Sequence, residues 1–318
     1  TPDTVYLAEH YHRDVIEPIQ KGGIDFGGSV HVECLPDNGF EEATWVHDTI
    51  QDFGCSVKAI VASCDLAQET SKVDHELQKL SELDQVKGIR WILDCVGKFE
   101  GGKTATHVAT TRHDGVDYLR GSNGGYDGHP LPQFEKGFAL LEQYNLTFDL
   151  QCAPAQLLEA SKLCARYPNI KVVVDHMGKP RKLLGEDTPD NKNTIPDEKE
   201  LTTWRKGMQS MAQNRNVHVK ISMLGYSIPG WIRTTERMEL MKSLVKETVT
   251  LFGPQRCMVA SNFFIDAALS DSGGESNVGP DVVSFLEFLY SLLEEEYEEK
   301  ELDQIFFSTA MNFYNIPN

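Results

Sequence analysis

Short apolar stretches alternate with amphipathic stretches along most of this chain. The apolar stretches have the length and β-branched content of buried strands, and each is followed by apolar residues at helical spacing. Seven strands are predicted: Phe26 to Glu33, Val57 to Ala62, Val86 to Leu93, Leu146 to Cys152, Ile170 to Asp175, Val217 to Ser222 and Cys257 to Ser261. Strands that alternate with helices are typical of parallel sheets, because each helix carries the chain back to the start of the next strand.

The alternation predicts an α/β fold, a (β/α)8 TIM barrel whose first strand is missing from this chain. The missing strand should be the first because Tyr6 to Gln20 has a helix pattern with no apolar strand before it. We expect a single barrel domain over residues 1–318, with C-terminal helices within 281–313. A flavodoxin-like or Rossmann sheet is the rival fold. The chain has no glycine-rich phosphate-binding motif, which disfavours that rival, and we expect no nucleotide cofactor.

The most informative polar residue follows the fifth predicted strand, in the segment VVVDHMGKP (172–180). His176 lies where the carboxyl end of a barrel strand would present it to the active-site face. Its imidazole could bind a divalent metal, polarise a carbonyl or move a proton, and a structural hydrogen bond is an equally good interpretation. Asp175 should point the opposite way, toward the helix layer, as a turn or cap carboxylate.

The first predicted strand carries two polar residues on one face, His31 and Glu33. Both point into the barrel if Val30 and Val32 face the helices. An imidazole and a carboxylate at this position could ligate a metal or form an acid–base pair. A hydrogen bond inside the barrel is the equally weighted alternative.

Two basic residues, Arg90 and Lys220, lie within apolar strands, where a charge is expensive unless it is paired. Each could hold a substrate carboxylate, or each could pair with an acid on a neighbouring strand. Gln151 is a candidate hydrogen-bonding residue inside the barrel. For Asp149, which shares its face, we favour a structural role.

The last predicted strand ends at Asn262, where an aspartate could act as a base toward water but an asparagine can only exchange hydrogen bonds. Asp266, four residues later, is a partial substitute. His10 and His12 have the spacing of a two-histidine metal pair. No apolar strand leads into them, so a surface loop is the preferred interpretation.

Charge and composition narrow the classes of partner. The formal net charge of −18 and pI near 4.9 disfavour nucleic acid and acidic membrane surfaces. No apolar run of about 18 residues is present, so no transmembrane helix is expected. The seven cysteines form no C-x-x-C pair, which indicates free thiols in a reducing, cytoplasmic compartment. The chain opens at Thr1 without an initiator methionine, so this expectation of location depends on the cysteines alone.

Segments in a fixed order along the chain resemble one family. They are SVHVEC (29–34), KGIRWIL (87–93), GYDGHPL (125–131), FDLQC (148–152), VVVDHMGKP (172–180), NVHVKIS (216–222) and FGPQRCMVASNF (252–263). Each string is weak alone, but the ordered set resembles the amidohydrolase-related family of lactonases and decarboxylases. That family includes fuconolactonase, rhamnonolactonase and 2-pyrone-4,6-dicarboxylate lactonase. The resemblance implies a (β/α)8 barrel that hydrolyses a cyclic ester or a related carbonyl compound, with a divalent metal such as zinc as an optional cofactor.

The resemblance also implies roles for residues of this chain. His176 matches the strand-end histidine that contacts a metal or the substrate carbonyl. Arg90 and Lys220 match positions suited to carboxylate or hydroxyl recognition, and Glu33 matches a metal-ligand or substrate-contact position. Two features depart from the family: no strand ending in H-x-H opens the chain, and Asn262 stands where the family often has aspartate.

We therefore expect a hydrolase that opens a small polar or carboxylated lactone, of the sugar-lactone or pyrone-dicarboxylate type. His176, or a metal that it binds with Glu33, would polarise the carbonyl, and Asn262 would position a water. The predicted substrate contacts are Arg90, Lys220, Glu33, His31 and Gln151. Decarboxylation of an unsaturated or aromatic acid is the alternative reaction, and a barrel that only binds a metabolite is the third hypothesis. The expected partner is a small-molecule substrate, with a homo-oligomer as a further option.

Overall fold

The computed structural model describes residues 6–53, 55–95, 97–99, 102–104, 116–120, 131–181, 183–185, 191, 193–262 and 280–317. The strands in this part of the chain are β1 (Ser29–Val32), β2 (Val57–Ser63), β3 (Val86–Arg90), β4 (Gly97–Phe99), β5 (Gly102–Thr104), β6 (Thr147–Leu150), β7 (Val172–Val174), β8 (Val217–Ile221) and β9 (Cys257–Val259). Seven of them form one parallel sheet in the order β1-β2-β3-β6-β7-β8-β9. β4 and β5 form a separate antiparallel pair.

Helices alternate with the sheet strands as the sequence predicts. The helices around the sheet are Gly39–Phe53, Thr70–Ser81, Pro132–Gln143, Leu157–Arg166, Glu198–Ala212 and Thr235–Phe252. The shorter elements are Ala8–Tyr11, His12–Ile16, Glu17–Lys21, Pro154–Gln156, Asp175–Gly178, Leu224–Ser227 and Pro254–Arg256; the C-terminal elements are Val282–Leu293, Glu299–Asp303, Gln304–Ser308 and Thr309–Phe313. Side-chain caps fix several helix starts: the Asp197 carboxylate, for example, accepts from the backbone N–H groups of Lys199 and Glu200.

Alternate residues of the strands face two different apolar clusters. Ile60 and Ile89 belong to the large core between the sheet and the helices. Val61 and Val173 belong to a second, smaller cluster on the inner face of the sheet, together with Tyr314 from the C-terminus. Burial on both faces is the pattern of a parallel barrel, and the predicted fold is confirmed: a (β/α)8-type barrel with seven strands among the described residues.

The C-terminal segment packs beside both edge strands of the sheet. The turn Gln304–Ser308 contacts β9. On the other side, a Cβ added to Gly27, just before β1, would clash with the ring of Phe307. Phe313 and Tyr314 then enter the barrel interior, where each is 1% exposed. The segment therefore occupies the region between β9 and β1.

Some details differ from the sequence predictions or lie beyond them. His10 and His12 lie in the helix Ala8–Tyr11 and the π-helical turn that follows it, so the surface-loop interpretation is wrong. The motif at 125–130 and Asp266 lie outside the described residues. All seven cysteines carry free thiols. No helix in the described ranges is both long and apolar enough to cross a bilayer.

Candidate active site

Five strands bring one charged residue each to the inside of the barrel. Arg90, at the end of β3, donates from Nε to the Glu33 carboxylate at 2.8 Å and from a terminal nitrogen to the Glu33 carbonyl at 2.5 Å. The other terminal nitrogen lies 3.7 Å from Asp175, which follows β7. Lys220 on β8 pairs with Asp149 on β6 and lies 3.1 Å from Asp175. We call these five residues the interior charge network.

Two carboxylates of the network have pKa values shifted in opposite directions. Burial, stronger here than the attraction of Lys220, raises the pKa of Asp149 to about 6. Burial would also raise the pKa of Asp175, but the charges of Lys220 and Arg90 outweigh it, with a contribution from the neighbouring His176, and lower that pKa. Burial likewise opposes the charge of Lys220, yet its two carboxylate neighbours raise its pKa above the usual value. The pair around Lys220 thus consists of one easily protonated acid and one firmly ionised acid.

His176 lies beside this network and is almost fully buried, with 5% of its surface exposed. Its Nδ1 is 2.8 Å from the hydroxyl oxygen of Ser222, which follows β8, and its ring meets that of Tyr226 edge-on at 6.0 Å. Burial first, and then the positive charges of Lys179 and Arg90, lower the pKa of His176 to about 3, although Asp175 opposes them. The imidazole is therefore neutral at ordinary pH.

A second buried ion pair lies near His176, where the strands end. Lys179 pairs with Asp94, which follows β3, and both side chains are at most 3% exposed. The amide of Gln151 donates to the same Asp94 oxygen, Oδ2, at 3.4 Å. The Lys179 ammonium also lies 5.5 Å from the ring centre of Tyr226, whose other neighbour is His176. The Lys179–Asp94 pair and His176 therefore lie near the same tyrosine ring.

Left-handed backbone conformations concentrate where the strands end. His176, Met177 and Lys179 have φ values of 55°, 51° and 53°, and Gly178 between them has 71°. Leu35, Met223 and Asn262, which follow β1, β8 and β9, have φ values of 57°, 51° and 50°. Residues other than glycine cost about 1–2 kcal/mol each in this region. Such strain persists where the surrounding structure enforces it, and it is typical of functional sites.

The structure brings most of the predicted residues together but corrects two directions. His31 lies on the helix side, 3.5 Å from Glu42 of the helix Gly39–Phe53, because Val30 and Val32 face the interior. Asp175 points inward to Lys220 and not to the helix layer. Arg90, Lys220, Glu33, Gln151 and His176 all lie at the inner carboxyl ends of the strands. Asn262 follows β9. The catalytic and binding roles of these residues remain predictions.

Four residues of this region were not among the predicted site residues: Asp94, Lys179, Ser222 and Tyr226. One signal was present for two of them, since Asp94 and Ser222 continue the inward alternation of Arg90 and Lys220 beyond the strand ends. Lys179 was visible only as part of a glycine–proline turn. Tyr226 lies in the short helix Leu224–Ser227, which no pattern indicated.

A cavity of about 470 Å³ is lined by none of the residues of this site. Its lining includes Phe40, Cys64, Lys79 and Trp91. Cys64 and Trp91 belong to the core between sheet and helices, so the cavity lies outside the barrel interior. It contains none of the interior charge network, and the chemistry therefore places the candidate site inside the barrel.

Comparison with known proteins agrees with this architecture. The amidohydrolase family model matches residues 80–316. The chain belongs to the amidohydrolase family. This amidohydrolase is 31% identical over 139 residues to the uncharacterized protein y4mH of Sinorhizobium fredii, and 28% identical over 132 residues to an L-fucono-1,5-lactonase of Burkholderia multivorans. The two alignments cover 44% and 41% of this chain, and 40% and 41% of those proteins.

A solved structure shares the fold of this amidohydrolase over nearly its whole length. It is an amidohydrolase from Burkholderia multivorans with bound zinc, with a TM-score of 0.70 and 18% identity, and the match covers 98% of this chain and 89% of the other. The aligned part of the present chain spans only about two fifths of the curated relatives. Family membership therefore supports an enzyme of the hydrolase or decarboxylase class, and the substrate is a matter for proposal.

The described residues of this amidohydrolase do not form a metal site. Within the described ranges, no three His, Cys, Asp or Glu side chains converge so as to hold a metal ion. Glu33, the expected partner of His176 at a metal, is instead bound by Arg90 and by the N–H of Leu35 at 2.7 Å. The Burkholderia multivorans neighbour, by contrast, holds zinc. Because the described side chains do not fit a metal ion, we derive no catalytic step through one.

Proposed function

We propose that the protein hydrolyses a neutral, hydroxylated lactone, such as a sugar lactone, inside the mouth of the barrel. The observation that carries the proposal is the buried imidazole of His176, fixed by Ser222 at 2.8 Å where the strands end. A neutral imidazole in a desolvated site is a good hydrogen-bond donor to a carbonyl oxygen, and its bond strengthens as that oxygen becomes negative. The 28% identity to an L-fucono-1,5-lactonase supports the same substrate class.

The charges of the site favour a neutral substrate over a dicarboxylate. In the described interior, Arg90, Lys179 and Lys220 each contact at least one carboxylate. These three cations face four carboxylates, from Glu33, Asp94, Asp149 and Asp175. A carboxylated substrate would have to displace one of these acids from its cation. Hydroxyl groups can instead share the free lone pairs of the acids.

Ser222 sets which nitrogen of His176 carries the hydrogen. Ser222 is 1% exposed, and its hydroxyl forms a hydrogen bond with Nδ1. A buried hydroxyl hydrogen needs an acceptor, so we assign the Ser222 O–H as donor and Nδ1 as acceptor. Nε2 then carries the hydrogen and donates to the lactone carbonyl. A water adds to the carbonyl carbon, the ring C–O bond breaks, and the departing oxygen takes a proton to give the open hydroxy acid.

A substrate panel tests the proposal. The purified chain is assayed with five- and six-membered sugar lactones, with 2-pyrone-4,6-dicarboxylate and with dihydroxybenzoic acids, while acid release and carbon dioxide release are followed. We expect acid release from neutral lactones, and a loss of about a hundredfold to a thousandfold in kcat for His176→Ala. Turnover of His176→Ala equal to the parent would contradict the role of the imidazole. Carbon dioxide release would instead favour the decarboxylase hypothesis, and tight binding without turnover would favour a metabolite-binding barrel.

A further inference from the structure

Among the described residues, the Asp94 carboxylate is bound through only one of its two oxygens. Both of its recorded partners, the ammonium of Lys179 and the amide of Gln151, bind Oδ2. Oδ1 is buried and, within the part of the chain described, has no hydrogen-bond partner. The residue as a whole is 1% exposed. Buried polar atoms are nearly always satisfied in folded proteins, so an orphaned carboxylate oxygen calls for a partner beyond the described residues, and a bound water is one that fits its chemistry.

The position of Asp94 indicates what that partner is. Trp91 and Leu93 face the helix layer, so the alternation that makes Arg90 inward also turns Asp94 into the barrel. Lys179 links it to the imidazole, because its ammonium holds Asp94 while its backbone N–H donates to the His176 carbonyl at 2.9 Å. Lys179 and His176 also contact the same Tyr226 ring. The free oxygen therefore lies on a residue that Lys179 connects to the proposed carbonyl-binding imidazole.

We propose that Asp94 is the general base of the lactone hydrolysis, and that its Oδ1 binds and deprotonates the attacking water. This inference depends on the proposed function. The water oxygen forms a bond to the carbonyl carbon as one of its protons passes to Oδ1, and the carbonyl oxygen becomes the oxyanion bound by His176. When the ring C–O bond breaks, that proton leaves Oδ1 for the departing ring oxygen. Lys179 and Gln151 are positioning residues, because they hold Oδ2 and leave Oδ1 to the water.

Asp94 supplies the base that Asn262, at the end of the last strand, does not. An asparagine cannot take a proton from water, so the last strand supplies no base at that position. Asp94 brings a carboxylate to the same mouth from β3. The two residues follow different strands, and carboxyl ends of parallel barrel strands share one face.

Four variants of this chain test the base. They are Asp94→Asn, Asp94→Ala, Lys179→Gln and, as a matched control, Asp74→Asn. Asp74 accepts from the Tyr144 hydroxyl at 2.7 Å in the outer helix layer and lies outside the site. We expect Asp94→Asn to lower kcat by about 10²–10⁴-fold, the usual contribution of a general base, and Asp74→Asn to leave kcat unchanged. Added formate should restore part of the turnover of Asp94→Ala but not of His176→Ala.

The results distinguish a wrong assignment of the general base from a wrong assignment of the reaction. If the parent opens lactones and Asp94→Asn keeps more than half of its kcat, the base assignment is wrong and the lactonase stands. If Asp94→Asn and Asp94→Ala are both inactive, formate restores nothing, and both variants melt well below the parent, Asp94 is only the structural partner of Lys179. If the parent opens no lactone, the proposed function and the base assignment fail together. Rescue by formate in a variant that melts like the parent supports the assignment.

Discussion

The hydroxyl of Tyr314 donates to both carboxylate oxygens of Asp149, at 3.1 and 3.0 Å. Tyr314 directly follows the C-terminal helix Thr309–Phe313, whereas Asp149 lies on β6, so the bond joins segments 165 residues apart. The Lys220 ammonium lies 5.9 Å from the centre of the same phenol ring. Tyr314, in the C-terminal segment, therefore packs directly against the interior charge network.

Tyr314→Phe tests how much the hydrogen bond between Tyr314 and Asp149 contributes to stability. The substitution removes the donor but keeps the ring, and it leaves the buried carboxylate of Asp149 with Lys220 alone. A hydrogen bond to a charged group contributes about 1.5–3 kcal/mol, so we expect the free energy of unfolding to fall by about 2 kcal/mol in urea titrations. Tyr290→Phe, at a tyrosine that is 45% exposed, is the control and should change it little. Equal effects of the two variants would show that the bond to Asp149 contributes nothing.

The sequence was sufficient for the fold because its two periodicities are strong. Runs such as VKAIVAS and VHVKI bury alternate residues on two apolar faces, and the helices between them repeat every three to four residues. The strands end earlier than the apolar runs do. Asp175, for example, lies beyond β7, because the chain leaves the ladder there for a turn with left-handed residues.

The inward face of a strand was harder to predict. Val172, Val173 and Val174 are all apolar, so nothing in β7 shows which residues face the interior, and Asp175 was assigned to the wrong side. In β1 the polar residue His31 was assumed to face the site, but it faces a helix carboxylate. Contacts between residues far apart in the chain leave no trace in a single sequence.

Acid should destabilise the fold through its buried histidines. Burial, assisted by Arg256, lowers the pKa of His218 to about 4, and the pKa of His176 is lowered to about 3. Between these values and about 6.5 the unfolded chain takes up protons that the folded chain refuses, so stability falls as pH falls through this window. His218→Phe removes one such proton and keeps a ring against Phe313, which lies 4.8 Å away.

We expect the dependence on pH of the unfolding free energy between pH 4 and 6.5 to become shallower in His218→Phe, by at most about 1.4 kcal/mol per pH unit. Urea titrations of both proteins at several pH values measure it. Parallel curves for parent and variant would mean that the folded protein protonates His218 as readily as the unfolded chain does.

Ser222→Ala should lower kcat and change the melting temperature little. The variant removes the hydroxyl that holds Nδ1 of His176 at 2.8 Å, so the imidazole is free to adopt the tautomer with no hydrogen on Nε2. One neutral hydrogen bond contributes about 1 kcal/mol, which corresponds to a fall in kcat of about five- to tenfold. Ser222→Thr keeps a hydroxyl and should recover most of the rate. A Ser222→Thr variant as slow as Ser222→Ala, with an unchanged melting temperature, would argue against this role.

Glu33→Gln should change which lactones the enzyme accepts. Glu33 binds Arg90 through its carboxylate at 2.8 Å, and the substitution removes this charge from the guanidinium, which keeps Asp175 at 3.7 Å as a more distant acid. Arg90 keeps its bond to the Glu33 backbone carbonyl, but its charge is no longer neutralised by the Glu33 carboxylate, so it can bind a substrate carboxylate, a bond that contributes about 1.5–3 kcal/mol. We therefore expect kcat/KM for a carboxylated lactone, relative to a neutral one, to rise about tenfold or more.

Glu135→Gln is the matched control for this change in specificity. Glu135 binds Arg166 at 2.8 Å on the outer helices, so the same substitution there alters the total charge equally but leaves the interior intact. Competition assays with one neutral and one carboxylated lactone measure the ratio of kcat/KM values for parent, Glu33→Gln and Glu135→Gln. If the two variants shift this ratio equally, the preference arises from overall charge. If only Glu33→Gln shifts it, the Glu33–Arg90 pair is the element that keeps a substrate carboxylate out of the barrel.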